Sequence, residues 1–364
     1  MTFEAWVAYG FTALLVGVAI AVKHSKMLYA LQIIWMIMLL GFNTYSQDYT
    51  INETLYNMLG DNDDFSILGF AYYIAVTFAK DSGLDFLEYN FITSAVSVII
   101  IGYIVKKYAK NYNLAFSLIY LYPLAEMIIQ KRFLPAMAIS LVALQYLNQS
   151  SWKSQCKFLL LIALATGLHS AVIFYLLFWL LDRYTRKGFT KCKIALLAAL
   201  WGMMCVASTF IPSVAGLIFP ADKIELYFVT FAEKSNIFHF LFWALLHISV
   251  VWLVYSVYKK MPKTEYSTWI FRLNIYSLFV IPLYDFDPVF MRYFRAVLIY
   301  DYIYLGDLFP RHLVTTKTAL KGGLCIVLIG ILYSAVWYYL GIGNQTFERM
   351  IVPIFNDNAF ISWL

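Results

Sequence analysis

Charged side chains are scarce in this chain: only 13% of its 364 residues are Asp, Glu, Lys or Arg. Soluble domains usually carry about 25% charged residues. The chain is instead 62% hydrophobic, with a mean hydropathy of +0.71, which excludes a soluble domain of ordinary composition. The sequence predicts an all-α, polytopic integral membrane protein, because a helix satisfies its own backbone hydrogen bonds in lipid.

Cysteine and the motifs of soluble active sites are also scarce. The four cysteines, Cys156, Cys192, Cys205 and Cys325, show neither pairing nor metal-ligand spacing, so we expect no disulfides. The chain starts with MTFEAW and has no basic residue there, so we expect no cleavable signal peptide. The chain has no GxSxG, HExxH or P-loop pattern, and we expect neither a metal nor another cofactor.

Lys and Arg cluster in short segments between hydrophobic stretches. Placing these clusters on the cytoplasmic side predicts about ten full spans and a re-entrant hairpin, about 12 segments in all, with both termini outside. The spans are predicted at about 3–22, 27–43, 89–105, 112–130, 133–148, 194–216, 237–258, 267–283, 289–309 and 322–341. The outer loops are about 44–88, 217–236, 284–288 and 342–364, within one domain covering 1–364. The apolar stretch 66–80 is too short to span and is predicted to be an interfacial or partly buried helix.

The stretch 157–193 holds a run of about 24 apolar residues with basic clusters at both ends. A single span would put the clusters on opposite sides of the bilayer. Two arms of about 12 residues, roughly 18 Å each, would turn near Gly167-Leu168-His169 inside the membrane. Such a break survives only against protein or a water-filled cavity. We therefore predict a hairpin with His169 at the floor of an outward-facing cavity; the alternative is one tilted span.

Some basic residues run against the positive-inside bias. Lys131 and Arg132 fall at the predicted outer mouth of a hairpin between two spans. A guanidinium can bind phosphate or pyrophosphate through two parallel hydrogen bonds. We interpret this pair as an anion site; the alternative is contact with lipid headgroups. Arg272, one turn inside its span, is expected to snorkel.

A second pair, Arg292 and Arg295, is spaced to share one face of a helix that Asp287 and Pro288 would start. Charges one to two turns below the surface are costly unless they face a cavity or a partner. We interpret both as anion-binding residues; structural ion pairs with Asp285 or Asp287 are the alternative.

Other polar residues are candidates for proton transfer and sugar binding. His169 can accept a proton near neutral pH, and Asp48 is a second candidate base. Tyr49 can stack on a sugar, and Asp285 and Asp287 can bind sugar hydroxyls. His247, within a span, is expected to pack or to form hydrogen bonds.

Four short motifs, in order, resemble the EpsG-like branch of the Wzy polysaccharide polymerases: QDY with Asp48 and Tyr49, KRFLPAMAISLVAL with Arg132, LHSAVI with His169, and MRYFRAVLIYDY. The family more usually has Arg-Gln where this chain has Arg132-Phe133. The resemblance implies a GT-C-like, metal-independent membrane glycosyltransferase. Such an enzyme polymerises undecaprenyl-pyrophosphate-linked repeat units of O-antigen, capsule or exopolysaccharide.

The implied reaction takes place on the outer face of the bacterial cytoplasmic membrane. It would use Arg132, Arg292, Arg295 and Lys131 for the pyrophosphate, with His169 first and Asp48 second as base. The expected partners are the lipid-linked donor and acceptor glycans, the bilayer and a chain-length regulator protein, but no nucleic acid. Alternatives are a flippase, which commonly shows two similar halves, an O-antigen ligase and a membrane acyltransferase.

Overall fold

The computed structural model describes residues 1–22, 24–59, 69–206, 210–217, 219–230, 232, 237–308 and 346–363. Within these residues all regular secondary structure is helical, apart from an isolated antiparallel bridge between Asn43 and Asn358. The prediction of an all-α fold is confirmed. The predicted span 322–341 and Cys325 lie outside the described residues.

The chain divides into two compact units, and each is described by itself. Unit 1 comprises Met1–Ile173 and Ile299–Leu364, and unit 2 comprises Phe174–Leu298. The expectation of one domain over the whole chain stays a prediction.

Among its described residues, the first part of unit 1 contains nine α-helices. They are α1 (Phe3–Ala21), α2 (Lys26–Gly41), α3 (Tyr49–Met58), α4 (Phe70–Asp81), α5 (Phe86–Tyr108), α6 (Tyr112–Leu121), α7 (Leu124–Ile129), α8 (Phe133–Leu144) and α9 (Trp152–Leu168). Short 3-10 helices follow α8 at Gln145–Asn148 and α9 at Ser170–Phe174.

The α-helices of unit 2 are α10 (Tyr175–Thr185), α11 (Lys191–Val206), α12 (Ile211–Ala215), α13 (Ala221–Glu225), α14 (Ile237–Lys260) and α15 (Glu265–Ser277). A π-helical turn covers Leu226–Thr230, and 3-10 helices cover Leu278–Asp285 and Pro288–Met291. Helix α16 (Arg292–Gly306) begins in unit 2 and ends in unit 1. The C-terminal part of unit 1 holds α17 (Phe347–Met350), α18 (Val352–Asn356) and α19 (Ala359–Ser362).

Local sequence explains how α5, the longest of the described helices in unit 1, begins and ends. Asp85 Oδ1 accepts from the Glu88 N–H at 2.8 Å, and Glu88 Oε2 accepts from the Asp85 N–H at 2.9 Å. This capping box satisfies two donors that the first turn leaves unpaired. Lys106 and Lys107 close the helix, where the negative end of the helix dipole favours cations.

Unit 1 has a basic end and an acidic end. The start of α2 meets the end of α5 at the basic end, where the Tyr29 hydroxyl donates to the Gly102 carbonyl at 2.6 Å. The lysines of these and neighbouring helix ends are Lys26, Lys106, Lys107, Lys110, Lys153 and Lys157. The helix ends at the other side carry Asp48, Glu53, Asp81, Asp85 and Glu88. This separation fits one orientation in a membrane; that the basic end is cytoplasmic stays a prediction.

The C-terminal helices lie at the acidic end of unit 1. The Thr44 N–H donates to the Asp357 carbonyl at 2.8 Å, and Asn43 Nδ2 donates to the Pro353 carbonyl at 3.0 Å. The Thr2 N–H donates to Asn356 Oδ1 at 3.0 Å. Both terminal segments of the described chain therefore meet at the same end of this unit.

Two of the described helical segments are long and apolar enough to cross a membrane, Phe86–Tyr108 and Phe240–Lys260. Shorter apolar segments are Phe3–Ala19, Lys26–Gly41, Tyr112–Leu121 and Phe133–Asn148. The number of about ten full spans stays a prediction.

Some predicted spans are wrong as continuous helices. The span predicted at 112–130 is interrupted between α6 and α7, where Pro123 lacks the N–H that a helix interior needs. The span predicted at 267–283 is α-helical only to Ser277 and then becomes a 3-10 helix that contains Pro282. The stretch 66–80, by contrast, contains the short half-buried helix α4, as predicted.

The predicted break near Gly167-Leu168-His169 is present. Helix α9 ends at Leu168, and His169 has an extended backbone with φ −150° and ψ 114°. The arm before the break has 17 residues, longer than predicted, because Ser151 caps the helix ahead of the basic residues. Helix α10 belongs to unit 2, so the reversal of the chain into a hairpin stays a prediction.

Two expectations about buried polar residues of unit 2 have opposite outcomes. Arg272 does not snorkel: it is buried and lies 3.3 Å from Asp182 Oδ1, as an ion pair. His247 is buried and hydrogen-bonded as predicted, with Nδ1 2.8 Å from the Tyr284 hydroxyl and Nε2 2.8 Å from Ser277 Oγ.

Candidate functional site

Arg132 stands at the start of α8 and is held by an aromatic ring. Its guanidinium carbon lies 4.0 Å from the centroid of the Tyr72 ring, close enough for a cation–π interaction. Its Nε is buried without a hydrogen-bond partner among the described residues, as is the Tyr72 hydroxyl. No carboxylate in the described part of the chain pairs with this guanidinium.

Lys131 occupies the turn between α7 and α8 and is 8% exposed. Its ammonium lies 3.4 Å from the Asn43 carbonyl and 3.5 Å from Asn43 Oδ1. It also lies 5.2 Å from the centroid of the Tyr49 ring. Burial lowers the pKa of Lys131 to about 7, because desolvation disfavours the charged form. Below that pH the side chain is therefore a buried cation that is held by dipoles and a ring rather than by an acid.

Asp48 and Tyr49 begin α3. Asp48 occupies the N-cap position, but its side chain makes no cap hydrogen bond; its carbonyl accepts from Asn52 Nδ2 at 2.6 Å. Tyr49 is buried, and its ring meets the ring of Phe86 edge-on at 5.2 Å. Burial, followed by the charges of Glu53 and Asp85, raises the pKa of Tyr49 to about 12. Its phenol therefore stays neutral at physiological pH.

His169 is half-buried at the break after α9. Its Nδ1 accepts from the Ala171 N–H at 3.3 Å, and its ring meets Phe133 edge-on at 5.3 Å. Because Nδ1 accepts, the proton of the neutral ring is on Nε2. Phe133 directly follows Arg132, so this contact places the histidine at the start of α8, the helix end that also carries Arg132.

An aromatic cluster joins these segments. Tyr49, Tyr56, Tyr72 and Phe86 form one buried core, and Leu168 packs against it. Since these residues adjoin Asp48, Arg132 and His169 in sequence or in contact, the structure brings Asp48, Tyr49, Lys131, Arg132 and His169 to one region of unit 1.

Gly167 explains why α9 and α4 pack closely at this region. A Cβ on Gly167 would lie 2.4 Å from Phe70 Cε1 and 2.9 Å from the Ala71 Cβ. Only glycine permits this approach, and α4 carries Tyr72 beneath Arg132.

Sequence reasoning missed Tyr72 and Asn43, the partners of the two cations. It also missed a set of buried hydroxyls near the site. Among the described residues, Ser46 Oγ, Tyr72 Oη and Thr166 Oγ1 are buried and have no hydrogen-bond partner. Buried polar atoms normally pair with protein, ordered water or ligand. Ser46 and Thr166 lie close to Asp48 and Gly167 in the sequence, and these small polar residues were the signal that could have indicated the buried hydroxyls.

The second predicted cationic pair lies in unit 2. Arg292 and Arg295 are buried, 5% and 3% exposed. Arg292 Nε donates to the Val289 carbonyl at 3.0 Å, and its guanidinium carbon lies 5.4 Å from the Tyr227 ring centroid. Both side chains sit at the start of α16, after a helical turn that Asp287 caps, as the sequence predicts.

The two acids predicted to contact sugar also lie in unit 2. Asp287 Oδ1 accepts from the Val289 N–H at 2.6 Å, which is an N-cap role. Asp285 is exposed at the end of the preceding 3-10 helix. In the described part of the chain, no three His, Cys, Asp or Glu residues are placed to hold a metal ion.

Comparison with known proteins gives one finding. The model of the EpsG family matches residues 26–348, a range that contains all the candidate residues named above. No curated protein and no solved structure matches the chain. Because the family match covers most of the sequence, this chain belongs to the EpsG family and is a polysaccharide-polymerase-like membrane protein.

Proposed function

We propose that this protein polymerises undecaprenyl-pyrophosphate-linked oligosaccharide repeat units on the outer face of the cytoplasmic membrane and releases undecaprenyl pyrophosphate. The acidic, aromatic end of unit 1 would face outward and the lysine-rich end inward. A growing lipid-linked glycan is the donor, and a single lipid-linked repeat unit is the acceptor.

The observation that carries this proposal is the state of Arg132. Its guanidinium is stacked on Tyr72, has no acidic partner among the described residues, and keeps a buried Nε without a hydrogen bond. An unpaired, oriented guanidinium suits a pyrophosphate, because both groups form two parallel hydrogen bonds. Lys131 adds a second cation beside it in sequence, and Arg292 and Arg295 are further candidates for lipid pyrophosphate in unit 2.

The reaction makes one bond and breaks one. The acceptor hydroxyl oxygen bonds to the anomeric carbon of the donor, while the bond from that carbon to the pyrophosphate oxygen breaks. The electron pair stays on the pyrophosphate, and the hydroxyl proton passes to a base. Cations near the leaving oxygen lower the barrier, because negative charge accumulates there in the transition state.

The hydrogen bond at His169 favours Asp48 as the base, the reverse of the order expected from sequence. His169 Nδ1 is engaged by the Ala171 N–H, so the neutral ring offers Nε2–H as a donor. We assign His169 to the leaving pyrophosphate oxygen, and Asp48, which begins α3 next to Tyr49, to the acceptor hydroxyl.

The test is reconstitution of purified protein with a synthetic undecaprenyl-pyrophosphate repeat unit. We expect a ladder of oligomers and one released undecaprenyl pyrophosphate per new glycosidic bond. Transfer of units across the bilayer without bond formation would instead identify a flippase. A single transfer to lipid A, without oligomers, would identify a ligase.

A further inference from the structure

A cavity of about 420 Å³ opens at the acidic end of unit 1. It lies between α3, the end of α4 and the start of α5, and none of Lys131, Arg132 and His169 lines it. The described residues that line it are Tyr49, Glu53, Tyr56, Asn57, Lys80, Gly83, Leu84, Asp85, Phe86 and Leu87. Its volume falls in the range of roughly 300–1,000 Å³ that is usual for small-molecule sites.

The polar lining is dominated by hydrogen-bond acceptors. Glu53 makes no hydrogen bond or ion pair with any described residue. Asp85 uses one carboxylate oxygen to cap α5, and Asn57 is exposed. Carboxylates accept hydrogen bonds from ligand hydroxyls, and an amide both accepts and donates.

The one cation of this lining is already engaged. Lys80 Nζ donates to the carbonyl of Asn57 at 2.8 Å and to that of Leu59 at 2.5 Å. The ammonium also lies 5.8 Å from the centroid of the Tyr56 ring. Lys80 therefore ties the end of α3 to α4, and the remaining ionic groups of the cavity are negative.

Tyr49 connects the cavity to the cationic pair. Its ring lines the cavity and also lies 5.2 Å from the ammonium of Lys131. This residue therefore borders both a cavity with acidic, hydroxyl-binding groups and a cation suited to phosphate. This polarity matches a ligand with a sugar portion joined to a pyrophosphate.

We propose that the cavity binds the glycan portion of the lipid-linked substrate and selects neutral or amino sugars over acidic ones. This inference rests on the proposed function, because it takes Lys131 and Arg132 to hold the pyrophosphate of the same molecule. Glu53 and Asp85 accept sugar hydroxyls, while Tyr49, Tyr56 and Phe86 supply apolar surface. A sugar carboxylate is repelled by the two acids.

The experiment measures protection of a cysteine placed in the cavity. The variant is Asn57→Cys in the full-length protein, because residue 57 is exposed and lines the cavity. The probe is the free oligosaccharide repeat unit, released by mild acid from the producing cell's own lipid-linked intermediates. The labelling rate at residue 57 is read by peptide mass spectrometry, so the native cysteines do not interfere. Asp81→Cys, exposed but outside the lining, is the control position.

We expect the repeat unit to slow labelling at residue 57 at least about tenfold, and not to affect residue 81. Adding Glu53→Gln should raise the half-protecting concentration about tenfold or more, the cost of losing a charged hydrogen bond. Adding Asp81→Asn, which removes a neighbouring charge outside the cavity, should leave that concentration unchanged.

The other outcomes test the glycan site in the cavity and the proposed polymerase function independently of each other. Unprotected residue 57 in a preparation that polymerises would overturn the glycan site and leave the polymerase standing. Protection without polymerisation would support the glycan site and refute the polymerase. Equal protection by a repeat unit that contains an acidic sugar would overturn the selection for neutral sugars.

Discussion

Arg132 lies over the ring of Tyr72, with its guanidinium carbon 4.0 Å from the ring centroid, and each residue buries a polar atom that has no hydrogen-bond partner among the described residues. Stacking orients the cation without neutralising it. If an anion binds here as proposed, it meets a guanidinium that is already in position, and it displaces no carboxylate of the described residues. Affinity gains from such preorganisation, because less freedom is lost on binding.

The first prediction concerns the planar guanidinium group of Arg132, whose N–H donors form a fork. Arg132→Ala should lower the polymerisation rate about 100- to 1,000-fold, the usual cost of removing one transition-state donor. Arg132→Lys should recover only part of it, since lysine keeps the charge but not the planar fork. The matched control is Arg183→Ala, an exposed arginine whose guanidinium lies 5.2 Å from the Trp179 ring centroid. A long polymer from Arg132→Ala would refute the leaving-group role.

The second prediction uses the pKa of Lys131, which burial lowers to about 7. Below that pH the lysine is charged before and after binding, so affinity for the lipid-linked repeat unit stays constant. Above it the empty site must take up a proton to bind, so Kd should rise up to about tenfold per pH unit. Measurements between pH 6.5 and 8.5 check this. Lys131→Arg stays charged throughout and should abolish the pH dependence; an unchanged slope would contradict the assignment.

The third prediction separates donation from proton acceptance at His169. Glutamine can donate from its amide nitrogen but cannot accept a proton, so His169→Gln should keep activity within about tenfold. Asp48→Asn should lose about 100- to 10,000-fold, the range for a general base. Initial polymerisation rates of the two variants, measured across a range of pH, distinguish hydrogen-bond donation from proton acceptance. If His169→Gln is inactive while Asp48→Asn keeps its activity, the histidine is the base.

The fourth prediction tests the approach of α4 to α9. Gly167→Ala would bring a methyl group within 2.4 Å of Phe70, so α4 must shift and carry Tyr72 away from Arg132. We expect a loss of about 1–3 kcal/mol in stability together with reduced polymerisation. Adding Phe70→Leu should relieve the closer clash and restore part of both, because the Ala71 Cβ would still lie 2.9 Å from the new methyl group.

The control for this pair is Gly202→Ala in α11, where a Cβ would meet nothing within 4 Å. It should be neutral or stabilising by about 0.5–1 kcal/mol, because alanine favours helix over glycine. Wild-type thermal stability of Gly167→Ala would show that the close packing is not required.

The fifth prediction concerns orientation. Single cysteines at the exposed positions Asp81 and Lys110 mark the acidic and basic ends of unit 1. A membrane-impermeant thiol reagent should label residue 81 in cells whose cytoplasmic membrane is exposed, and residue 110 only after lysis. The reverse pattern would invert the proposed topology.

Signals that lie within a few residues of one another were readable from the sequence. Asp287 and Pro288 begin a helical turn as expected, and the helix before His169 stops at Leu168. Both depend on short-range capping and backbone geometry. Hydropathy also predicted an all-helical chain, because lipid permits few alternatives.

Contacts between residues that are far apart in the sequence could not be predicted from it. Lys131 meets Asn43 across 88 positions, and neither residue carries a local sign of the contact. Periodicity indicates which face of a helix is buried, but not which ring another helix brings to it. Continuous spans were predicted across Pro123 and Pro282 because hydropathy averages over a window and does not register one missing N–H.

The contacts of Asn43 determine where a tag can be fused to this protein without disturbing Lys131. Its side-chain amide holds the Pro353 carbonyl, and its own carbonyl accepts from Lys131. A reporter fused after residue 364 would strain the C-terminal helices whose Pro353 carbonyl is bound by Asn43, and one fused before Thr2 would disturb its hydrogen bond to Asn356. The exposed turn at Gly188, with φ of 111°, is a safer place to insert an affinity handle.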